Sequence, residues 1–496
     1  MSVTEQQQTT LQQPVLLDAD TLDQRLLQEF KPRTEQASLA VRSAVNTLAT
    51  QALRATELIS DDTLSSLEAM IAAIDAKLSS QINTILHHPE LQKLESAWRG
   101  LHHLVSNTET DDKLKIRFLN VSKAELALEL KKFKGAAWDQ SPVFKKIYEH
   151  EYGQFGGEPY GMMIADYYFD NSPPDVELLA SLAKIAAAAH APLISGTAPG
   201  ALLMDSWREL ANPRELGKLF QTPEHAAWRN LRNSEDSRYV GLTLPRFMGR
   251  IPYGAKTAPV EEFNFEEITQ GDSENYLWVN AAYAMGLNVN RSFKQYGWCS
   301  QIRGIESGGA INGLPVHTYP SEDGGVDSTC PTEIAISDRR ELELANNGFM
   351  PLVHCKNSSV AAFIGAQSLH SPQRYGDPDA TANALLAARL PYLFATCRFA
   401  HYLKCIVRDK VGSFKERADL EKWLNSWINR YVEMNPATAS DNDKARKPLA
   451  AAEVNLEEDP AAPGFYRAKF FLRPHYQLEG LTVSLRLVSK LPSLKG

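Results

Sequence analysis

Residues 465–492 read FYRAKFFLRPHYQLEGLTVSLRLVSKLP, and the organisation of the chain follows from this stretch. Every second residue from Leu481 to Leu487 is apolar, a period of two that predicts a half-buried β-strand. Pro474 and Gly480 indicate a turn before this strand, so it either pairs with the preceding run or passes to a neighbouring chain. The preceding run has a similar apolar row, formed by Tyr466, Ala468, Phe470 and Leu472.

The segment before these strands has the composition of a linker. Residues 435–463 are dominated by Pro, Ala, Asn, Asp and Lys, with only a short alternating run near Val454 and Leu456. A terminal strand that follows a loose linker is easily exchanged between chains. This end of the chain therefore favours assembly over catalysis.

Length and composition limit the class of protein. A chain of 496 residues is too long for one hydrophobic core, so about two or three domains are expected. With 43% hydrophobic and 23% charged residues, the composition is that of an ordinary globular protein. No apolar run approaches the roughly 20 residues of a membrane span, and the first residues lack the features of a signal peptide, which predicts a cytoplasmic protein. The net charge of −8 argues against a general affinity for nucleic acid.

Several residue groups match enzymatic motifs only in part. Residues 249–257, GRIPYGAKT, lack the Lys directly after the second Gly that a phosphate-binding loop needs. The pairs at 87–88 and 102–103 are adjacent histidines, which point about 100° apart on a helix and are poorly placed to share one metal ion. Ser307 lacks the G-x-S-x-G context of a hydrolase, and the charged cluster at 338–341 is typical of structural ion pairs. We therefore expect no catalytic residue, no cofactor and no metal.

The five cysteines agree with this expectation. They are odd in number and lack C-x-x-C spacing, which predicts reduced thiols rather than disulfides or a zinc site.

The first hundred residues are dominated by helical patterns. From 34 to 106 the chain is predicted to be helical, and between 64 and 85 apolar residues recur at spacings of three and four, a narrow seam of coiled-coil type. Residues 89–105 repeat the pattern. The sequence leaves open whether the seam closes an intramolecular hairpin or a bundle completed by another chain. The seam consists of Leu64, Leu67, Ile71, Ile74, Leu78, Ile82 and Ile85.

A short amphipathic helix is predicted on the N-terminal tail. Residues 1–14 are polar and Gln-rich, which predicts disorder. Leu22, Leu26 and Phe30 then follow at helical spacing. A helix of this length is not stable alone, so it either docks on its own protein or binds a groove on a partner.

Strands and helices alternate between about residues 114 and 388, which predicts an α/β core. The segments that carry this prediction are strands over 113–121, 160–169 and 238–245, and helices over 123–133 and 175–190.

Five stretches of the chain resemble a known family in their order along the sequence. They are HHPELQKLESAWRGLHHLV at 87–105, LTLPRFMGRIPYG at 242–254, the Gly-rich segment 280–319, the segment 333–369, and RAKFFLRPHYQLEGLTVSLRLV at 467–488. The family that these stretches resemble is the large sheath subunit of the bacterial type VI secretion system, called TssC, VipB or EvpB. The first forty residues match it least.

The resemblance implies an α/β (α+β) fold with a phage-tail-sheath-like core, an N-terminal helical region, and a C-terminal strand pair that completes an intersubunit sheet. Four regions are expected. They are a flexible tail with an amphipathic helix at 1–33, a helical region that pairs with the small sheath subunit at 34–110, the α/β sheath core at 111–388, and C-terminal helices, linker and interlocking strands at 389–496.

The resemblance also implies a structural role without catalysis. In that family the large subunit pairs with a small subunit, TssB (VipA), and the heterodimers stack as a helical tube around an inner tube of Hcp. Contraction drives the inner tube through a target membrane. Other implied partners are further copies of the chain, the unfoldase ClpV and baseplate components, with no nucleic acid and no membrane insertion. The alternative is the tail sheath protein of a contractile phage or phage-like particle.

Four residue groups receive roles from this resemblance. The TssB-binding group is Leu64, Leu67, Ile71, Ile74 and Leu78. The ClpV-binding group is Leu22, Leu26 and Leu27. The intersubunit strands are represented by Phe470, Leu472, Leu481, Val483, Leu485 and Leu487. An inner-tube contact is assigned to Lys415 and Arg417, with an ordinary solvated helix face as the alternative.

Overall fold

A computed structural model shows two compact units. One unit contains the chain up to Gln92 together with Pro252–Asn275, and the other contains Lys93–Ile251 together with Tyr276–Gly496. The structure describes residues 34–43, 63–212, 215–261, 263–269, 273–320, 325–356, 358–410, 417–435, 438–458, 466–475 and 485–491.

Helices and strands alternate through most of the described chain. The α-helices of six or more residues with defined bounds are α1 Thr63–Leu86, α2 Pro89–Ser106, α3 Lys123–Lys132, α4 Pro173–Ala189, α5 Ala226–Asn233, α6 Ala281–Tyr296, α7 Asp338–Asn346, α8 Pro378–Ala387, α9 Leu390–Lys410, α10 Arg417–Ile428 and α11 Asp441–Arg446. The strands are β1 Met163–Phe169, β2 Leu193–Thr197, β3 Val240–Leu244, β4 Phe247–Met248, β5 Trp278–Val279, β6 Ala310–Ile311, β7 Thr318–Pro320, β8 Val326–Ser328, β9 Phe349–His354, β10 Ala361–Phe363, β11 Leu449–Glu458, β12 Tyr466–Pro474 and β13 Leu485–Leu491.

The central element of the larger unit is a six-stranded sheet in the order β1-β2-β3-β9-β10-β6. The first four strands are parallel, and β10 runs antiparallel to both of its neighbours. Strands β2 and β3 are buried along their whole length. Leu193 packs into an apolar cluster with α4, and the next residue, Ile194, packs into a different cluster with α6. Apolar clusters therefore cover both faces of this sheet, as is typical of parallel sheets.

Most of the elements predicted for this core are confirmed. The predicted strands over 160–169 and 238–245 correspond to β1 and β3, and the predicted helices over 123–133 and 175–190 correspond to α3 and α4. In the N-terminal region, α1 and α2 confirm the helical prediction over their lengths. The α/β fold class is thus confirmed.

The predicted strand over 113–121 is wrong. This segment is not assigned to any strand. Its apolar residues Leu114 and Ile116 are instead partly buried, whereas Lys115 between them is exposed and forms an ion pair with Glu158. The alternation of apolar and charged residues over 113–121 therefore reflects a segment with a partly buried side and an exposed side, and not a strand of the sheet.

The prediction of a loose linker over 435–463 is wrong for much of its length, because α11 and the ten-residue strand β11 lie within it. Several alanines weaken the local strand signal in this segment. Tertiary contacts stabilise the strand instead, since β11 pairs with β12 from Leu449 to Glu458.

Helix α9 docks on the core at the C-terminal end of α4. His401 Nε2 lies 3.1 Å from the carbonyl oxygen of Ala189, and the hydroxyl of Tyr152 donates to the same oxygen at 2.7 Å. Burial lowers the pKa of His401 to about 3, and the nearby cations Arg398 and Lys404 add to this effect. His401 is therefore neutral in the folded protein at neutral pH.

This neutral histidine predicts acid sensitivity. An unfolded histidine has a pKa of about 6.5, so the unfolded chain binds more protons than the folded chain below that pH. The contribution of His401 to stability is complete above about pH 6.5 and decreases as the pH falls toward 3. We expect this group alone to remove up to about 2 kcal/mol of the free energy of unfolding between about pH 6.5 and about pH 5.

Urea unfolding at these two pH values measures the effect. His401→Gln should show a smaller loss of stability in acid than the parent protein, whereas His88→Gln at an exposed position should not differ from it. An unchanged acid response in His401→Gln would contradict the assignment.

Candidate assembly surfaces

The C-terminal strands form a three-stranded antiparallel sheet in the order β11-β12-β13. In its register Phe470 lies opposite Leu487, and Leu472 lies opposite Leu485. The backbone register thus places these four predicted residues in two opposed pairs. The other two, Leu481 and Val483, lie outside the described residues.

The apolar face of this sheet is a core in its own right. Phe470 and Leu472 are each 1% exposed, and they share a cluster with residues of α9 and α10. Burial of one such side chain contributes about 1.5–3 kcal/mol. The helix residues in this cluster include Phe399, Leu403, Leu420, Leu424 and Ile428.

Side chains of α10 also bind the outer edge of β11. The amide group of Asn425 accepts a hydrogen bond from the backbone nitrogen of Val454 at 2.9 Å and donates to its carbonyl oxygen at 2.7 Å. The carboxylate of Glu421 accepts from the backbone nitrogen of Leu456 at 3.1 Å. The backbone of this edge is therefore bonded although no strand pairs with it among the described residues.

Helix α1 carries the predicted seam, and part of the seam is exposed. Ile71 is 57% exposed, whereas Ile74 and Leu78 are partly buried. Leu64 and Leu67 lie on the same helix, but their side chains are outside the described part of the structure. Large exposed apolar side chains in one stripe are typical of an interaction surface. The assignment of this stripe to a partner stays a prediction.

Asn83 connects α1 to an extended segment in the same unit. Its amide nitrogen donates to the carbonyl oxygen of Glu266 at 3.0 Å, and its amide oxygen accepts from the backbone nitrogen of Ile268 at 2.8 Å. Asn83 is 7% exposed. A buried asparagine thus holds residues 263–269 much as a neighbouring strand would.

The other predicted contact residues are only partly described. Arg417 begins α10, but its side chain is outside the described residues, as is Lys415. Leu22, Leu26 and Leu27 are outside them as well. Asp419 and Lys422 are exposed on α10, which fits either an inner-tube contact or an ordinary solvated face.

Sequence reasoning missed an apolar surface beside α2. Trp98 and Phe118 are 61% and 66% exposed, and their ring centroids lie 6.4 Å apart. Phe118 lines a groove with a volume of about 540 Å³. Apolar residues at every second position of 114–118 indicated an apolar surface, but they were interpreted as part of a strand over 113–121. The groove is lined by Leu101, Val105, Thr110, Asp111, Leu114, Lys115, Ile116 and Phe118.

Two arginines of the charged cluster at the start of α7 form ion pairs. Arg339 and Arg340 both form ion pairs with Glu343 of the same helix, at 3.1 and 2.7 Å. Across the described residues, no three His, Cys, Asp or Glu side chains are placed to hold a metal ion. The helices of the described chain include none that is long and apolar enough to cross a membrane.

The chain contains an α/β sheet followed by a small C-terminal sheet, and two family models match these two parts in the same order. These matches define the class of protein. Residues 68–370 match the model described as EvpB/VC_A0108, tail sheath N-terminal domain. Residues 379–491 match the model described as EvpB/VC_A0108, tail sheath gpW/gp25-like domain. The chain belongs to this tail sheath family, as the resemblance of its sequence predicted.

An individual relative agrees with this assignment. The chain is 69% identical to the type VI secretion system sheath protein TssC1 of Pseudomonas aeruginosa over 471 residues. This match covers 95% of each of the two chains. The cryo-EM structure of the anti-feeding prophage baseplate matches 77% of this chain and 81% of its own chain, with a TM-score of 0.32 and 11% identity. A likeness at that TM-score adds nothing to the family assignment.

The role of Asn83 leads to a prediction. Replacement by Ala leaves the carbonyl oxygen of Glu266 and the amide of Ile268 without these partners, so the segment that includes Lys256 and 263–269 should open more often. We expect trypsin to cut after Lys256 about tenfold faster, as followed by mass spectrometry. Asn107→Ala, which removes an exposed amide bonded to His103, is the matched control. Equal cleavage rates in both variants would contradict the role.

Proposed function

We propose that the chain is the large subunit of a type VI secretion sheath, which polymerises with the small subunit TssB into a helical tube around Hcp. The observation that carries this proposal is the ordered match of both tail sheath domains across residues 68–491. The relative at 69% identity favours a secretion sheath over the alternative, a phage tail sheath protein. The role is structural, and contraction of the tube would propel the inner tube and its effectors into a target cell.

The exposed part of α1 is the proposed TssB surface. Ile71 with its partly buried neighbours Ile74 and Leu78 forms one stripe of the helix, and Leu64 and Leu67 extend the stripe in sequence. A partner helix laid along this stripe would bury side chains that water now contacts.

Two further contacts are proposed from the sequence of the chain. The N-terminal residues Leu22, Leu26 and Leu27 have the helical spacing of a peptide that fills the groove of a partner, for which we propose ClpV. Lys415 and Arg417 precede the charged face of α10, for which we propose the Hcp tube. We further propose that the sheath forms in the cytoplasm and joins baseplate components at its end.

The C-terminal sheet is the proposed connection between neighbouring subunits. β13 is its last strand, and a strand added there would bond the outer backbone groups of β13 and link one subunit to the next. Such backbone links can survive contraction because the segments around them absorb rigid-body movement, while surface contacts break and form again.

The proposed TssB surface predicts the effect of charge on α1. Ile71→Glu together with Ile74→Glu would place two carboxylates in an apolar interface, so co-purification with TssB should fall to background. Ala72→Glu together with Ala76→Glu introduces the same charges at exposed positions on the other side of the helix and should leave the yield unchanged. Wild-type yield from the Ile71 and Ile74 variant would show that the stripe is not the interface.

The proposed connection through the sheet predicts the effect of charge on β13. Leu487→Asp introduces a carboxylate at the position paired with the buried residue Phe470, so tubes should not form while the soluble TssB complex survives. Arg486→Asp introduces the same residue opposite Phe471, which is 39% exposed, and tubes should form. Negative-stain microscopy of the co-expressed complexes distinguishes these outcomes. Normal tubes from Leu487→Asp would reject the sheet as the connection, and loss of the TssB complex would place β13 in the heterodimer core.

A further inference from the structure

The outer edge of β11 is bonded at three positions, although no strand pairs with it in the described chain. At the start of the strand, the backbone nitrogen of Glu433 donates to the carbonyl oxygen of Leu449 at 2.8 Å. In the middle, Asn425 bonds both backbone groups of Val454. Further along, Glu421 accepts from the amide of Leu456. The groups that point outward from a strand recur at every second residue, so Val454 and Leu456 are consecutive positions on this edge.

The asparagine amide reproduces the pairing that a neighbouring strand would offer. It has one acceptor oxygen and two donor hydrogens, and all three functions are used. Its oxygen accepts from the Val454 nitrogen, one hydrogen bonds the Val454 oxygen, and the other bonds the carbonyl oxygen of Glu421 at 3.0 Å. The last bond lies within α10 and fixes the direction of the side chain.

The spacing of the two helix residues fits the strand. Glu421 and Asn425 are four residues apart on α10, a rise of about 6 Å along the helix axis. Val454 and Leu456 are two residues apart on β11, a rise of about 6.7 Å along the strand. The match allows one face of the helix to bond two successive outward positions of the strand.

Packing holds the helix in this position. Leu420, Leu424 and Ile428 of α10 are 7%, 0% and 0% exposed, and they share a cluster with Val454 and Leu456. The apolar side chains that anchor α10 thus belong to the same core as the strand whose edge it covers.

We propose that Asn425 and Glu421 form an edge lock that closes β11 to strand addition, so that an extended segment from a neighbouring sheath subunit enters the sheet only beside β13. This inference rests on the proposed function, in which the sheet connects subunits. Sheets that accept a strand at both edges can associate without a defined direction, whereas a sheet with one closed edge adds neighbours on one side only. The edge lock therefore gives each subunit a single polarity in the polymer.

Paired substitutions test the edge lock in the complex with the small subunit. Asn425→Ala with Glu421→Ala removes the lock and leaves a neutral open edge. The Val454 amide should then exchange with deuterium at least about tenfold faster, and negative-stain microscopy should show laterally joined or irregular assemblies in place of separate tubes. Asn455→Ala is the matched control, because its exposed amide bonds only the side chain of Glu453 on the same strand.

A second variant separates an open edge from a loss of stability. Asn425→Lys with Glu421→Ala also removes the acceptor of the Val454 amide, because an ammonium group accepts no hydrogen bond, but it leaves a charge at the edge, and charged edges resist strand addition. Faster exchange without irregular assembly in this variant supports the edge lock. Irregular assembly to the same degree in both variants, or separate tubes from both, would overturn it. Failure of the wild-type complex to form any tube would instead reject the proposed function, so the two failures are distinguishable.

Discussion

Backbone amides and carbonyls at the edge of a β-sheet need hydrogen-bond partners, and the C-terminal part of this chain is arranged around that requirement. Strand β12 is paired on both sides within the chain. On one side of the sheet, the side chains of α10 bind β11 where a strand would otherwise lie. The sheet is therefore asymmetric, and its two edges differ in what they can accept.

The larger sheet meets the same requirement in a different way. Its parallel strands β2 and β3 are buried and bonded on both sides, and apolar clusters cover both faces. Rigid cores joined through a small terminal sheet are suited to a polymer that changes its packing, because the cores move as bodies while the backbone links persist.

Local patterns in the sequence were sufficient for elements whose stability comes from an apolar face of regular period. Helices α1 and α2 were predicted on that basis. The buried face of β12 was also predicted correctly, since Phe470 and Leu472 are each 1% exposed. Family resemblance, more than these patterns, gave the class of protein.

The failures arose where long-range contacts decide the structure. Strand β11 has weak local signals and depends on its pairing with β12 and on α10, 29 residues away at the contact between Asn425 and Val454. The segment 113–121 has a strong local signal, but no strand is assigned there. Asn83 and Asn425 could not be identified from sequence, because an asparagine on a helix carries no mark of the distant backbone that it bonds.

The cryo-EM structure of the polymer that the chain forms with its small partner would test most directly whether the C-terminal sheet connects neighbouring subunits. We predict a strand from a neighbouring subunit along the outer edge of β13, with Asn425 still bonded to Val454. A neighbouring strand along β11, or a polymer in which the C-terminal sheet contacts no other subunit, would contradict it.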